Sequence, residues 1–304
     1  MRLNQHSWFD HAAYSFASHW LELPGARMHY VDEGSGPPVL LVHGTPGWSF
    51  DYRDLIRPLS KTHRYIAPDL IGFGLSDKPA DWPYALESHT ASLRTLLAQL
   101  GIARFDLVVH DFGGPVALPL ALEDPGRVRR LVLANSWMWP LSIDAEFARR
   151  KRMVGTAFMR GMYLYANFSA RVMVRMSWGR RRKLTPLRHK HFVAAFPNAS
   201  SRHGTYGFLR STIDRDDYLE QLWARREQLA SIPALVIWGR ADRLITPVHL
   251  ARWKEALPAA RFEELADVGH FPLDEAPELL VPRVDWFLSA AKEDLGGLGG
   301  ARTA

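Results

Sequence analysis

The chain has 304 residues with 47% apolar composition, enough for one large domain or two small ones around a substantial core, which excludes a fibrous or wholly disordered protein. Cysteine is absent, so there is no disulfide framework, no thiol nucleophile and no cysteine-ligated metal site. The net charge of +6 conceals a split: residues 137–213 carry 15 Lys and Arg against 2 Asp and Glu, net +13, and the remainder of the chain is net −7.

Residues 1–20 mix His, Asp and Ser with aromatics and hold no apolar stretch of signal-peptide length. No run elsewhere is long and apolar enough to span a membrane. A soluble cytoplasmic protein is expected. The glycine-rich stretch 296–300 is expected to be disordered, because backbone entropy opposes fixing it.

In chain order, 20–23 and 27–31 read as a hairpin turning at Pro24-Gly25. Residues 38–42 form a continuous apolar run, the pattern of a strand buried on both faces, and His43-Gly44-Thr45-Pro46 follows directly. A helix over 52–59 precedes Tyr65-Ile66-Ala67, which runs into Asp69-Leu70-Ile71-Gly72-Phe73-Gly74-Leu75-Ser76. Leu93, Leu96, Leu97 and Leu100 share one face of a helix over 86–100, which leads to a strand at 105–110. After a further helix, another buried strand is expected over 128–134.

Strands alternating with helices predict a mainly parallel sheet with helices on both faces. The alternation stops over 137–215, where only helix-compatible segments and loops occur. It resumes with a helix near 218–229, strands at 233–239 and 260–265, and a closing helix over 277–290. The expected organisation is a core of 1–136 and 216–304 interrupted by a basic helical cap domain, 137–215.

The stretch Leu107-Val108-Val109-His110-Asp111-Phe112-Gly113-Gly114 reads as strand, sharp turn and helix, with Asp111 at the bend. Two roles are open to Asp111 from its residues alone: a reactive group presented by the turn, or a cap for the helix that follows.

Four blocks, His43-Gly44-Thr45-Pro46, Asp69 to Ser76, His110-Asp111-Phe112-Gly113-Gly114 and Asp267-Val268-Gly269-His270, with Gly239-Arg240-Ala241-Asp242 as a fifth, resemble the α/β-hydrolases of the haloalkane dehalogenase and epoxide hydrolase branch. The resemblance implies the α/β-hydrolase fold with an inserted helical cap. In that fold the elbow usually presents the Ser of Gly-x-Ser-x-Gly. No such motif occurs here, and Asp111 stands in its place.

The resemblance further implies a cofactor-free and metal-free hydrolase. Asp111 would attack an sp3 carbon and form an alkyl ester, His270 would activate water, and Asp242 would orient His270. Nucleophile, acid and base then follow the chain order of the fold. Asn135 and Ser136 stand where some members place the acid, which favours Asp242. Backbone N–H groups of Thr45 and Phe112 are the implied oxyanion donors. His43 reads as a structural brace, and His189-Lys190-His191 as a solvated basic surface rather than a metal site.

The chain departs from the dehalogenase pattern at two donors. Phe112 stands where those enzymes place a Trp that holds the departing halide, and Thr45 stands where many have Asn. Trp137 and Trp139, just beyond a strand end, are replacement candidates, although aromatic packing explains them as well. For epoxide opening the candidates are Tyr163, Tyr165 and Tyr206, and helical spacing allows at most one of the first two to reach the site. The expected substrate is a small apolar organic molecule: a haloalkane, or alternatively an epoxide or a β-lactone processed by decarboxylation. A non-catalytic relative is the alternative from another class.

The runs Arg149-Arg150-Lys151-Arg152 and Arg180-Arg181-Arg182-Lys183 read as solvated helix faces. Between them, 158–176 is apolar and aromatic with Arg at intervals, a composition suited to an anionic membrane or an acidic partner protein. No nucleic-acid motif occurs, and no nucleic acid is expected.

Overall fold

The structure, a computed structural model, describes residues 12–291; the glycine-rich 296–300 stretch lies outside them. Eight strands form one sheet in the order β1-β2-β4-β3-β5-β6-β7-β8. They are β1 (His19–Leu23), β2 (Ala26–Glu33), β3 (Pro38–Val42), β4 (Arg64–Pro68), β5 (Phe105–Asp111), β6 (Val128–Ser136), β7 (Ala234–Gly239) and β8 (Arg261–Leu265). β1 pairs with β2, and β2 with β4, antiparallel; every other pairing is parallel.

Alternation along the central strands divides the apolar residues between two cores. Leu40, Leu107, Leu131 and Val236 face one side, with Leu93, Leu96 and Leu97 of α2 (Leu86–Gln99) and α3 (Gly113–Glu123), which is buried and apolar from Gly113 to Leu122. Val39, Leu41, Val108, Val132 and Leu235 face the other, against α1 (Arg53–Leu59) and the closing helix Pro277–Ser289. Because both faces are covered, these strands read as unbroken apolar runs.

Between β6 and β7 every regular element is helical. They are α4 (Ala145–Val154), α5 (Ala157–Leu164), a π-turn at Ser169–Met173 continuing as α6 (Val174–Ser177), α7 (Pro186–Ala194), α8 (His203–Asp214) and α9 (Asp216–Ala224). The single helix expected near 218–229 is instead α9 followed by a 3₁₀ segment, Arg226–Ser231. After β7 the chain forms α10 (Pro247–Ala256), which sequence reading passed over; of its ten residues only His249, Leu250 and Trp253 are buried, too few for a clear helical stripe. A short α11 (Pro272–Glu275) precedes α12 (Pro277–Ser289). No helix among the described residues is long and apolar enough to cross a membrane.

Part of the cap's positive charge is met by acids of the core rather than by solvent, which corrects the reading of the 180–183 run as a solvated helix face: it lies between α6 and α7, outside any helix. Arg181 and Arg182 reach Glu278 at 3.2 and 2.7 Å, and Arg181 also reaches Asp267 at 3.5 Å. Arg188 on α7 lies 3.2 Å from Asp274, a carboxylate shared at 2.6 Å with the buried Arg53.

These pairs should differ sharply in worth. Asp274→Ala strips a buried guanidinium of its nearest carboxylate and should cost about 3 kcal/mol or more. Arg182→Ala removes one member of an exposed pair and should cost under about 1 kcal/mol. Urea denaturation of both variants against the parent measures the contrast.

Candidate active site

Loops leave the carboxyl ends of β3, β5, β6, β7 and β8 on one edge of the sheet, where open α/β sheets place their ligands. Asp111 ends β5 with φ at +51°, a left-handed conformation uncommon for a residue with a side chain. The helix cap falls on Phe112, with no side-chain capping bond. Asp111 therefore does not cap α3; its Oδ2 accepts the Thr45 N–H at 2.8 Å. Only glycine fits at position 44, since a Cβ there would stand 2.1 Å from Asp111 Oδ2.

His270, 1% exposed, donates from Nδ1 to Asp242 Oδ2 at 2.7 Å. Its Nε2 lies 3.5 Å from Asp111 Oδ1, beyond good hydrogen-bond length, and has no other protein partner. The three predicted catalytic side chains are thus brought together from loops 111, 242 and 270. Phe112, at the start of α3, brings N–H groups that have no acceptor within the helix.

Asp242 is fixed from two sides. Its Oδ1 accepts the N–H groups of Leu244 at 2.7 Å and Ile245 at 3.2 Å. Its Oδ2 accepts both His270 and Asn135 Nδ2, the latter at 2.9 Å. Asn135, at φ +35°, also exchanges hydrogen bonds with the Gly239 backbone. Sequence reading considered this position only as an alternative place for the acid and missed its bracing role. His110 donates to the His270 carbonyl at 2.6 Å. Glu275 accepts the N–H groups of Gly269, Phe271 and, from the cap, Gly179; burial pushes its carboxyl up to about 7, the three bonds acting the other way.

Charge within the cluster is unusual. Burial opposes an imidazolium at His270, but the carboxylates of Asp242 and Asp111 outweigh it and hold the pKa up to about 10. Burial likewise opposes a charged Asp111, and its interactions with His270, His110 and the Thr45 N–H hold the carboxyl below its ordinary value. His110 is pushed down to about 4, chiefly by burial and next by the charge of His270. Both shifts favour the charged pair, Asp111 carboxylate with His270 imidazolium.

The structure separates the leaving-group candidates. Trp139 is spent, donating its indole N–H to His249 Nδ1 at 2.9 Å and packing on Trp223 and Trp253. Trp137 is 1% exposed, its indole N–H has no partner, and its ring meets Phe112 edge-on at 4.9 Å. Tyr163 is buried within the field of Asp111, which with burial raises its phenol pKa. Tyr165 points out of the molecule at 73% exposure. Tyr206 lines an outer cleft with Pro83, Tyr84 and His203.

His43 braces the site as read: it donates to the Gly44 carbonyl at 2.7 Å and accepts the Leu70 N–H at 3.0 Å. Asp69 ties the same loops together through the Ser49 and Leu75 N–H groups. The reading of 189–191 as solvated is corrected, since both histidines are buried and His189 bonds the Ala170 carbonyl. No group of metal-ligating residues occurs among the described residues.

The sequence profile of the alpha/beta hydrolase fold family matches residues 37–277. A cis-3-alkyl-4-alkyloxetan-2-one decarboxylase of Shewanella oneidensis is 33% identical over 288 residues, covering 90% of this chain and 89% of that protein. Haloalkane dehalogenase 2 of Mycobacterium tuberculosis is 33% identical over 279 residues, covering 90% and 96%. Among solved structures, a putative ancestral haloalkane dehalogenase superposes with a TM-score of 0.80 at 27% identity, covering 89% of this chain and 98% of that one. Haloalkane dehalogenase DbeA of Bradyrhizobium elkani gives 0.79 at 27% identity, covering 90% and 98%.

The ion pair predicts a pH dependence of stability. His270 titrates higher folded than its ordinary 6.5, so its contribution is complete below that value and is lost as pH rises through about 10. Asp111 titrates lower folded, so its contribution holds above 3.8 and is lost as pH falls through its depressed value. Thermal melts across pH 7 to 10 should fall for the parent and be shallower for His270→Phe.

Proposed function

Because the chain belongs to the α/β-hydrolase fold family, in its haloalkane dehalogenase branch, we propose that it hydrolyses at sp3 carbon through an ester on Asp111, with haloalkanes as the substrate class. The observation that carries this reading is the grouping of a left-handed elbow carboxylate with His270, which is hydrogen-bonded to Asp242 and stands 3.5 Å from Asp111.

Asp111 Oδ1 attacks the carbon in line and halide departs. Oδ2, already against the Thr45 N–H, becomes the ester carbonyl oxygen. Alkylation cancels one of the two negative charges that hold the His270 pKa near 10. The imidazolium then releases its proton to water, so that H+ leaves with the halide, and serves as the base: its Nε2 takes a proton from a second water, and the hydroxide adds to the ester carbonyl. The oxyanion forms against the Thr45 and Phe112 N–H groups and collapses to alcohol and free Asp111. Forming the ester thus switches on the base that cleaves it. The cycle closes with water alone.

Trp137 is our candidate for the halide donor. Its support is the buried, unpartnered indole N–H and its contact with Phe112. Tyr163 is the candidate acid for any substrate whose leaving oxygen needs a proton, and the raised phenol pKa keeps that proton in place. We also place the reaction in the cytoplasm, supported by the cysteine-free composition.

A second reading, decarboxylation of a β-lactone, is favoured by one observation: Phe112 carries no donor where a departing halide most needs one. In that reaction Asp111 opens the ring at its sp3 carbon and the leaving carboxylate stays tethered. Loss of CO2 then expels Asp111 and forms the alkene. This release needs neither water nor base.

Intact-mass measurement on His270→Phe separates the readings. With bromoalkanes the variant should accumulate one alkyl group, and Asp111→Asn, examined before deamidation, should take up none. Trp137→Phe should slow the alkylation roughly 100-fold. With a β-lactone, continued alkene release by His270→Phe would favour the second reading, and a hydroxyalkyl gain confined to epoxides would replace both. A folded protein that gains no mass and turns over none of these would refute the aspartyl-ester chemistry.

A further inference from the structure

From residue 147 to residue 213 there is no Asp or Glu, while the same stretch carries 15 Lys and Arg. The cations on its inner side are met by core acids, as at Arg181, Arg182 and Arg188. Those on its outer side are not. Arg152, Arg160, Arg171, Arg175, Lys183 and Lys190 are exposed and pair with no carboxylate among the described residues.

The apolar residues of the same surface are reversed in direction. On α5, Met159, Tyr163 and Leu164 pack inward. The opposite face presents Phe158, Gly161, Met162 and Tyr165, spaced i, i+3, i+4 and i+7, with Phe158 71% and Tyr165 73% exposed. A Cβ added at Gly161 would meet nothing within 4 Å. The next helical segment presents Arg171 and Arg175 four residues apart, beside Met176, and Leu187 is exposed on the adjoining α7. Of the eight large apolar side chains exposed among the described residues, six lie between 143 and 187.

We propose that this outer face of the cap, centred on Phe158, Tyr165, Arg171 and Arg175, docks on the surface of an anionic phospholipid bilayer. Exposed aromatic and aliphatic side chains with arginines beside them match an interface whose phosphates lie just above its acyl chains. The apolar groups stand on outward helix faces, so shallow insertion satisfies them without a shaped partner groove. The segments that carry these residues, 157–177 and α7, bring no acid of their own to repel anionic headgroups. Docking there would set the cap, rather than the sheet, against the phase in which apolar substrates concentrate. The inference is independent of the aspartyl-ester chemistry.

Co-sedimentation of the full chain with vesicles of phosphatidylcholine, alone and doped with phosphatidylglycerol, tests it. Binding should require the anionic lipid and weaken with salt. Arg171→Glu with Arg175→Glu should lower the affinity by about tenfold or more, and Phe158→Ser with Tyr165→Ser should lower it comparably. Val248→Ser, an exposed apolar change on the core, should leave binding and melting as in the parent. Binding to neither vesicle would overturn the proposal, as would equal binding to neutral vesicles. So would retention on polyglutamate without vesicle binding, or a dimer in solution dispersed by Phe158→Ser with Tyr165→Ser; these outcomes would assign the face to an acidic protein or to a second copy.

Discussion

The site depends on one imidazole held between two carboxylates. Asp242 grips Nδ1 at 2.7 Å, and Asp111 stands 3.5 Å from Nε2. The asymmetry gives the two acids different roles. The short contact, reinforced by Asn135 and two backbone N–H groups, fixes the orientation of the imidazole. The longer contact is to a group whose charge the proposed chemistry removes and restores in every cycle. In the proposed chemistry, His270 acts as the base once the substrate has bonded to Asp111.

Such an arrangement requires a rigid frame, because each of these groups pays for burial through its neighbours. The frame comes from loops that tie one strand end to the next. His43 and Asp69 join the loops after β3 and β4, Asn135 joins β6 to β7, and His110 joins β5 to the His270 loop. Glu275 extends the frame into the cap by taking the Gly179 N–H together with those of Gly269 and Phe271. The loop carrying the base is therefore fixed jointly by sheet and cap.

Much of this was legible from the chain. The central strands are buried on both faces and advertise themselves as unbroken apolar runs, and Asp111 and Asp242 each follow such a run within a few residues, whereas His270 follows the largely polar edge strand β8. The split between Tyr163 and Tyr165 also follows from helical spacing, one ring inward and the other out. Other features depend on register across distant sequence. Asn135 braces Asp242 only because β6 and β7 lie side by side with Ala134 opposite Ile237. Trp137 and Trp139 look alike in the sequence, two residues apart; what distinguishes them is His249, on the weakly patterned helix α10. An element that periodicity hides thus decides which indole keeps a free N–H.

The charge split follows the same logic at larger scale. A net +13 segment set into a net −7 remainder reads as a surface for other molecules, yet the core itself takes part of that charge at Asp267, Asp274 and Glu278. These acids lie in and just after the loop that carries His270, and the Ser177 carbonyl accepts the His270 N–H on the same side. Several of the attachments between the basic segment and the core therefore fall beside the His270 loop. The outer flank, from α4 through α6, keeps its exposed arginines and apolar side chains for contacts beyond the chain. One cap segment serves both ends because its cations occupy opposite faces: inward they hold the catalytic loop, and outward they remain available.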